Sequence, residues 1–506
     1  PEREPSSARA VPADPLSGQD VAGVIVTGGL QRVGGFVVIN LLTAAAAVLL
    51  LRYLGVRDFG RYGTVLALMT IVQGISDGGL TLTGARELSL RTDEAERKEL
   101  LGNLVGLRML LTGAGVLAAV AFAMAVGYSG TLVAGTALVG LSVFALSVQS
   151  ALLLPLTVEL KNSRLAVNDV LRQSALVATL LLLAVLGASL IPFFAASPIA
   201  AGVVLLATPA VLGRHRLVAP RWAAPALRSL AITTLPLALF GVLSVLYFRV
   251  LVILMSLLQT SALQLGYYVT SARVIEIFLG IPVVLIGVVL PVLSVSARDD
   301  MARLQFVTLR LTQSLAWLGM LFAVILGTGA RPILMLFGGA EYLGAARVLQ
   351  IQCIALVTVF VTAAWTTPLV GMGRARDLAI ATAVGLAGVV TAGSILISTD
   401  AADGAAVAAV LADLVYCATV FVYARRGRVT QAVRLRTFAP IVISALPAVG
   451  LALTAPLPAA LDCVIATALF IVLSLRLGAV PPEITGRVRA VLPRGHSAGA
   501  SDLDEP

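Results

Sequence analysis

Residues 243–291 read LSVLYFRVLVILMSLLQTSALQLGYYVTSARVIEIFLGIPVVLIGVVLP. Two apolar runs flank a short polar turn, Gln259-Thr260-Ser261, and each run is long enough to span a bilayer as a helix. Arg249 lies 10 residues before the turn, and Arg273, with Glu276 just beyond it, lies 12 after. With the turn at a membrane surface and ~1.5 Å of rise per residue, both guanidinium groups sit ~15 Å deep, near mid-membrane. A charge there costs ~3 to ~15 kcal/mol if it faces lipid, so it faces a bundle interior or a wet cavity. Two cations at one depth on neighbouring antiparallel helices point to a site for something anionic.

The rest of the chain has the same character. Of its 506 residues 59% are hydrophobic and 12% charged, and the mean hydropathy is +0.99. A soluble domain carries about twice that charged fraction, so the composition specifies an all-α, polytopic integral membrane protein. The net charge of +10 comes from arginine, with lysine only at Lys98 and Lys161. In a membrane protein such an excess reports cytoplasmic loops and not nucleic-acid binding. Cys353, Cys417 and Cys463 all fall in apolar runs, which suits packing and implies no disulfide framework. His215 and His496 are isolated, so no metal site is expected.

Apolar runs fall at roughly 22–52, 60–83, 101–126, 130–155, 166–190, 192–213, 229–257, 264–293, 305–328, 346–371, 378–398, 403–424, 438–456 and 458–477. That makes fourteen expected transmembrane segments. One set of loops between them carries nineteen Lys and Arg, the opposite set five: Arg52, Arg57, Arg61, Arg331 and Arg347. The positive-inside rule then puts the basic loops and both termini in the cytoplasm. Residues 1–20 are polar and Pro-rich with no apolar core, and 478–506 are similar, so both read as disordered cytoplasmic tails and no cleavable signal peptide is expected.

Phe59-Gly60-Arg61-Tyr62, entering segment 2, echoes Leu265-Gly266-Tyr267-Tyr268, entering segment 8. Six segments separate the two, the spacing of a parallel repeat. The expected organisation is an N-lobe at 21–214 (segments 1–6), a basic linker at 215–228, and a C-lobe at 229–425 (segments 7–12). Segments 13 and 14, at 426–477, form an appended hairpin.

Arg52-Tyr-Leu-Gly-Val-Arg-Asp-Phe-Gly-Arg-Tyr-Gly63, followed by Asp77-Gly-Gly-Leu80 and Ala85-Arg-Glu-Leu-Ser89, resembles the N-terminal signature of the bacterial polysaccharide-transporter family. These are O-antigen-type oligosaccharide flippases of the multidrug/oligosaccharidyl-lipid/polysaccharide exporter superfamily. Leu235-Pro236 with Leu246-Tyr-Phe-Arg249, Gly338–Leu349 (GGAEYLGAARVL) and Leu369–Arg376 (LVGMGRAR) are similar to later stretches of that family. The resemblance runs over about residues 22–425 in register. It implies a twelve- to fourteen-helix, two-lobed transporter that moves polyprenyl-pyrophosphate-linked oligosaccharides from the inner to the outer leaflet of the bacterial plasma membrane. The products would feed lipopolysaccharide O-antigen or exopolysaccharide synthesis, with a polymerase or ligase as candidate partners beside the membrane lipids. Where many relatives carry an acid shortly after the Tyr-x-Arg/Asn of segment 7, this chain has Leu251-Val252.

Sorting the intramembrane charges by depth separates anchors from candidates. Arg108, Arg172 and Arg310 lie within about two turns of a cytoplasmic end, from which a long side chain can snorkel to water. Arg32, Asp77, Arg249, Arg273, Glu276 and Asp413 lie deeper or lack an easy exit. Arg32 and Asp77, at similar depth on antiparallel helices, either pair as a structural salt bridge or line a cytoplasmic mouth. Arg273 and Glu276, spaced i,i+3, share a helical face. They are either a self-neutralising pair or an anion-binding arginine tuned by its carboxylate. Arg249 has no acid within one turn and is the foremost candidate to meet a phosphate. A guanidinium fork holds a pyrophosphate bidentately and stays charged in a low-dielectric cavity. Tyr247, Tyr267 and Tyr268 are candidates to contact sugars or to anchor at an interface. Asp413 is a candidate proton or sodium site, with a helix–helix hydrogen bond as the alternative.

No G-x-x-x-x-G-K-[ST] stretch occurs, so coupling to a proton, sodium or the membrane potential is expected and no cofactor. An inside-negative potential favours outward movement of an anion by ~2.3 kcal/mol per unit charge per 100 mV. The rival readings are a peptidoglycan lipid-precursor flippase and a cation-coupled multidrug exporter. An exporter of cations should have an acidic cavity, and the deep arginines count against it. From another class, a membrane glycosyltransferase or polymerase needs catalytic groups on a sizeable outer loop. The longest here, about 329–345, holds the single acid Glu341, and no catalytic set of residues stands out.

Overall fold

The computed structural model describes the backbone of residues 21–159, 161–213, 218–454 and 458–480. The two expected tails lie largely outside the described residues, as does the side chain of Arg32. The described residues form α-helices and two short 3-10 turns. In a hydrocarbon layer this follows from the backbone itself, since a helix satisfies its own N–H and C=O groups. Eleven of the described helices are long and apolar enough to cross a membrane.

Two of them are far too long for one crossing. Helix α1 (Val21–Asp77) has 57 residues and would run about 86 Å if straight, against a hydrocarbon core of ~30 Å. Gly55 divides it, with φ +69° and ψ 171°, a conformation that side chains with a Cβ rarely adopt. Further along, α13 (Ala375–Arg426, 52 residues) is divided at Asp400 and Ala401. There the chain doubles back, because a Cβ on Gly404 would lie 1.9 Å from the carbonyl oxygen of Leu396. The expected loops near 53–59 and 399–402 are therefore one or two non-helical residues, and the segments they separate are helical almost to the turn.

The other elements follow the expected segments closely. They are α2 (Leu80–Leu90), α3 (Glu94–Ala125), α4 (Gly130–Leu152), the short α5 (Leu154–Val158), α6 (Asn162–Val185) and α7 (Leu190–Leu212). Next come α8 (Ala224–Leu257) and α9 (Ala262–Asp299), the hairpin around Gln259, then α10 (Met301–Thr328), the short α11 (Ala330–Phe337) and α12 (Ala346–Gly371). The chain closes with α14 (Ala439–Thr454) and α15 (Ala459–Arg476). One boundary moves for a clear reason. The expected break at Pro192 falls instead at Gly187, and Pro192 sits in the first turn of α7, where its missing N–H has no intrahelical partner to lose.

Helices α3, α4, α6 and α7 pack on one another and on α1, while α8, α9, α10, α12 and α13 form a second group. The α14–α15 hairpin lies against α10. The two groups meet where α1 runs along α8 and α9. Along that seam small residues let the backbones approach: a Cβ on Gly60 would lie 2.7 Å from the amide nitrogen of Gly266. Added Cβ atoms on Gly63 and Gly74 would strike the side chains of Val269 and Val245. Lipid tails are as apolar as leucine, so close packing of this kind supplies much of the cohesion between transmembrane helices.

At the arginine-poor end, the turn of Ala340–Ala345 seats against the Gly55 break. Tyr342, fully buried, donates its hydroxyl to the Leu51 carbonyl at 2.8 Å. Arg52 in turn donates to the Leu336 carbonyl at 2.8 Å. Two stretches that carry the family resemblance, 52–63 and 338–349, thus clasp each other.

Candidate functional site

The α8–α9 hairpin brings its charged residues together. Glu276 stands between two arginines: its Oε1 lies 2.5 Å from Arg249 Nη1, and its Oε2 lies 2.9 Å from Arg273 Nη1. Arg249, without an acid within one turn of its own helix, is nonetheless paired. Its partner is 27 positions away in sequence and reaches it across the hairpin. The side chains of all three are a quarter to a third exposed, so the cluster is open on one side. Its net charge is +1, and each contact to Glu276 uses one terminal nitrogen of a five-donor guanidinium. Such a cluster can receive an anion without new positive charge being brought in.

The cluster faces the seam. Val269, one turn before Arg273, packs against Gly63 of α1, and the adjacent Tyr62 is a buried ring stacked on Phe194. Tyr268, the counterpart of Tyr62 in the sequence echo, is also buried. It lies one turn before Ser271 on α9, beside Gln352 of α12. Gln352 is held in turn by Ser271, whose hydroxyl donates to its Oε1 at 2.6 Å.

Asp413, on the second half of α13, is buried and accepts a hydrogen bond from the Tyr247 hydroxyl. The Tyr247 ring lies 5.4 Å from that of Tyr416. Tyr247 and Tyr268, expected as sugar contacts or interface anchors, are both buried in the wall between the arginine cluster and Asp413. Tyr267 instead packs its ring over Gly344 of the Ala340–Ala345 turn.

One further expectation is corrected, that for Arg108, whose partner is Asp77 of α1. Arg108 does not snorkel: it is 4% exposed and donates to Asp77, Thr81 and Ser150, with the Ser147 carbonyl at 3.4 Å. A guanidinium can be buried there because hydroxyls and a carboxylate surround it. The hydroxyl series Thr81, Ser147 and Ser150 in apolar helices was the sequence signal for this partner set. Arg32 belongs to α1, and its side chain lies outside the described residues.

Arg172, also expected at a surface, lines a cavity of about 170 Å³ among the N-terminal helices. The third expected anchor, Arg310, is half-buried over the Phe306 ring and donates to Gln313 at 3.3 Å. The three cysteines are free thiols.

Residues 49–347, more than half of the chain, match a family described as polysaccharide biosynthesis protein. No curated protein sequence matches the chain significantly. Among solved structures, the chain is similar to the lipid II flippase MurJ in an inward closed conformation, with a TM-score of 0.74 and 12% identity, covering 91% of this chain and all of that one. It is also similar to an inward-facing multidrug resistance MATE transporter of the MOP superfamily, with a TM-score of 0.62 and 13% identity over 79% of this chain and 98% of that one. A MOP superfamily transporter from Pyrococcus furiosus gives a TM-score of 0.58 at 15% identity, over 80% of this chain and 95% of that one. At these identities the likeness establishes the fold, that of the MOP superfamily.

Proposed function

Because the chain belongs to the polysaccharide biosynthesis protein family, we propose that it is a flippase that carries a polyprenyl-pyrophosphate-linked oligosaccharide from the inner to the outer leaflet of a bacterial plasma membrane. The observation that carries this reading is the cationic cluster of Arg249, Glu276 and Arg273 at the seam between the two helix groups. A pyrophosphate is a doubly forked acceptor, and two guanidinium groups held by one carboxylate offer it paired N–H donors in a partly dehydrated setting.

Rocking of the two groups about the α1–α8–α9 seam would expose the cluster first to one side and then to the other. With both termini in the cytoplasm, as the loop charges imply, the Gln259 end is the outer one. Outward transfer of the anionic headgroup then runs with an inside-negative potential by ~2.3 kcal/mol per unit charge per 100 mV. Asp413, with its Tyr247 donor, is the candidate for coupling to a proton or sodium gradient.

The test is flipping of a fluorescent polyprenyl-pyrophosphate oligosaccharide in proteoliposomes under an imposed potential or ion gradient. Wild type should flip it, and Arg249→Ala and Arg273→Ala should reduce flipping by more than tenfold, about 1.4 kcal/mol or more, while remaining folded. Equal flipping by the variants would remove the cluster from the substrate path. A peptidoglycan precursor shares the pyrophosphate, so it is run in parallel. Faster flipping of that lipid would assign the protein to cell-wall precursor transport, and movement of neither would remove the flippase reading.

A further inference from the structure

The 170 Å³ cavity inside the N-terminal helix group has no role in the reading above, and its lining is unlike a packing defect. Thr70 and Gln73 of α1, Ser142 of α4, Arg172 of α6 and Ser197 of α7 all contribute polar groups to it. Voids in a helix core are apolar and dry, whereas this one mixes hydroxyl, carboxamide and guanidinium groups with walls such as Leu66 and Val139. A few polar groups converging from several helices on a partly apolar space is the composition of a small-molecule site.

Its position is as telling as its lining. Tyr62 stacks on Phe194, one turn before Ser197 on α7, and its neighbour Gly63 packs against Val269, one turn before Arg273 on α9. Leu66, Thr70 and Gln73 continue along α1 from Tyr62 at helical spacing, so one side of that helix leads from the arginine cluster to the cavity. The chemistry of the lining is mixed donor and acceptor with one cation. Arg172 is answered across one turn by the exposed Asp169, which takes a hydrogen bond from Asn168.

We propose that this cavity is a sugar subsite, which receives a ring of the headgroup while the pyrophosphate lies against Arg249 and Arg273. Sugar hydroxyls both donate and accept, as the Thr, Ser and Gln groups require, and the apolar walls suit the C–H face of a pyranose. About 170 Å³ is room for roughly five or six waters at ~30 Å³ each, or for one sugar ring in their place. The inference rests on the flippase reading for its substrate, but it concerns different residues.

The experiment measures binding of two lipids to the purified protein: polyprenyl pyrophosphate alone, and the same lipid bearing one N-acetylglucosamine. Wild type should hold the glycosylated lipid about tenfold more tightly. The double variant Gln73→Leu/Arg172→Met should lower that preference to less than about twofold while its affinity for the bare lipid is retained, which also shows that it is folded. Ala201→Leu, which fills the cavity from its apolar wall without touching a polar group, should do the same. A wild type that binds both lipids equally, or a preference that survives Ala201→Leu, overturns the subsite. Arg249→Ala separates the two ideas, since it should weaken both lipids alike. If it weakens neither, the pyrophosphate site is wrong even where the sugar preference stands. If wild type binds neither lipid, both fall.

Discussion

Gly60 and Gly266 cross backbone to backbone at the seam between the two helix groups: a Cβ on the first would lie 2.7 Å from the amide nitrogen of the second, and a Cβ on the second 2.2 Å from the carbonyl oxygen of Val56. These are the glycines of the sequence echo, so the two echoing stretches touch at their corresponding positions. Close approach near the arginine-poor end holds the groups together there, next to the Tyr342 clasp. Gly266→Ala is expected to force the helices apart at this end and to cut flipping by tenfold or more, about 1.4 kcal/mol. Val269→Cys, in a background without the native cysteines, reads the change. It should resist a membrane-impermeant thiol reagent in the parent and react with it when Gly266→Ala is added. Equal labelling in both would show that the crossing does not seal this end.

The Arg108–Asp77 cluster predicts a loss of stability. Removing one partner of a buried pair costs ~3–5 kcal/mol, and the partial exposure of Asp77 puts Arg108→Ala near the lower figure. Thermal unfolding in detergent should drop by several degrees for Arg108→Ala, and by less for Asp77→Asn, whose amide oxygen still accepts. Arg108→Lys should not rescue it, because one ammonium cannot reach Asp77, Thr81 and Ser150 with the geometry of a fork. An unchanged midpoint for Arg108→Ala would mean that the cluster is not holding α1 to α3.

That Arg249 and Arg273 lie level with each other on neighbouring antiparallel helices was legible in the sequence, because rise per residue converts position into distance along a helix axis, and both reach Glu276. Rotation about that axis was not. Arg108 lies within about two turns of a cytoplasmic end, and nothing in its spacing tells that its side chain turns to Asp77 and not to water. The bond to Arg108 is decided by how α3 packs on α1. The pairing of Arg249 is hidden for the same reason, since Glu276 comes to it from the neighbouring helix and not from its own turn. The apolar runs were legible because hydropathy marks them directly: against fourteen expected segments, eleven of the described helices are long and apolar enough to cross a membrane, and two of these hold two expected segments each across a kink. The turns at Gly55 and at Asp400–Ala401 proved tighter than expected, as a glycine or a strained pair can end one helix and start the next within a residue or two.

Asp413 gives a prediction about coupling. Its buried carboxylate depends on the Tyr247 hydroxyl, and the first half of α13 packs close to that ring, where a Cβ on Gly385 would lie 3.1 Å from it. If Asp413 links transport to an ion, a proton or sodium gradient at zero potential should speed wild-type flipping by about fivefold or more, and Asp413→Asn by less than about twofold. Flipping driven by potential alone should persist in Asp413→Asn. A variant that keeps its full response to the gradient would leave Asp413 as a helix–helix contact.

Glu276 is where binding and release are in tension. It takes one N–H from each arginine, so an arriving pyrophosphate competes with a carboxylate already in place. Glu276→Gln raises the charge of the cluster from +1 to +2 and replaces a strong acceptor with a weak one. It should bind bare polyprenyl pyrophosphate about tenfold more tightly, yet flip more slowly, because the carboxylate is no longer there to displace the product. Binding should fall for Arg249→Ala and Arg273→Ala, which separates removal of the competitor from removal of the donors. The opposite outcome is equally informative. If Glu276→Gln binds the lipid less tightly than wild type, the carboxylate is the strut that aims both guanidinium groups. Release would then have to come from the movement of the helix groups and not from an internal anion.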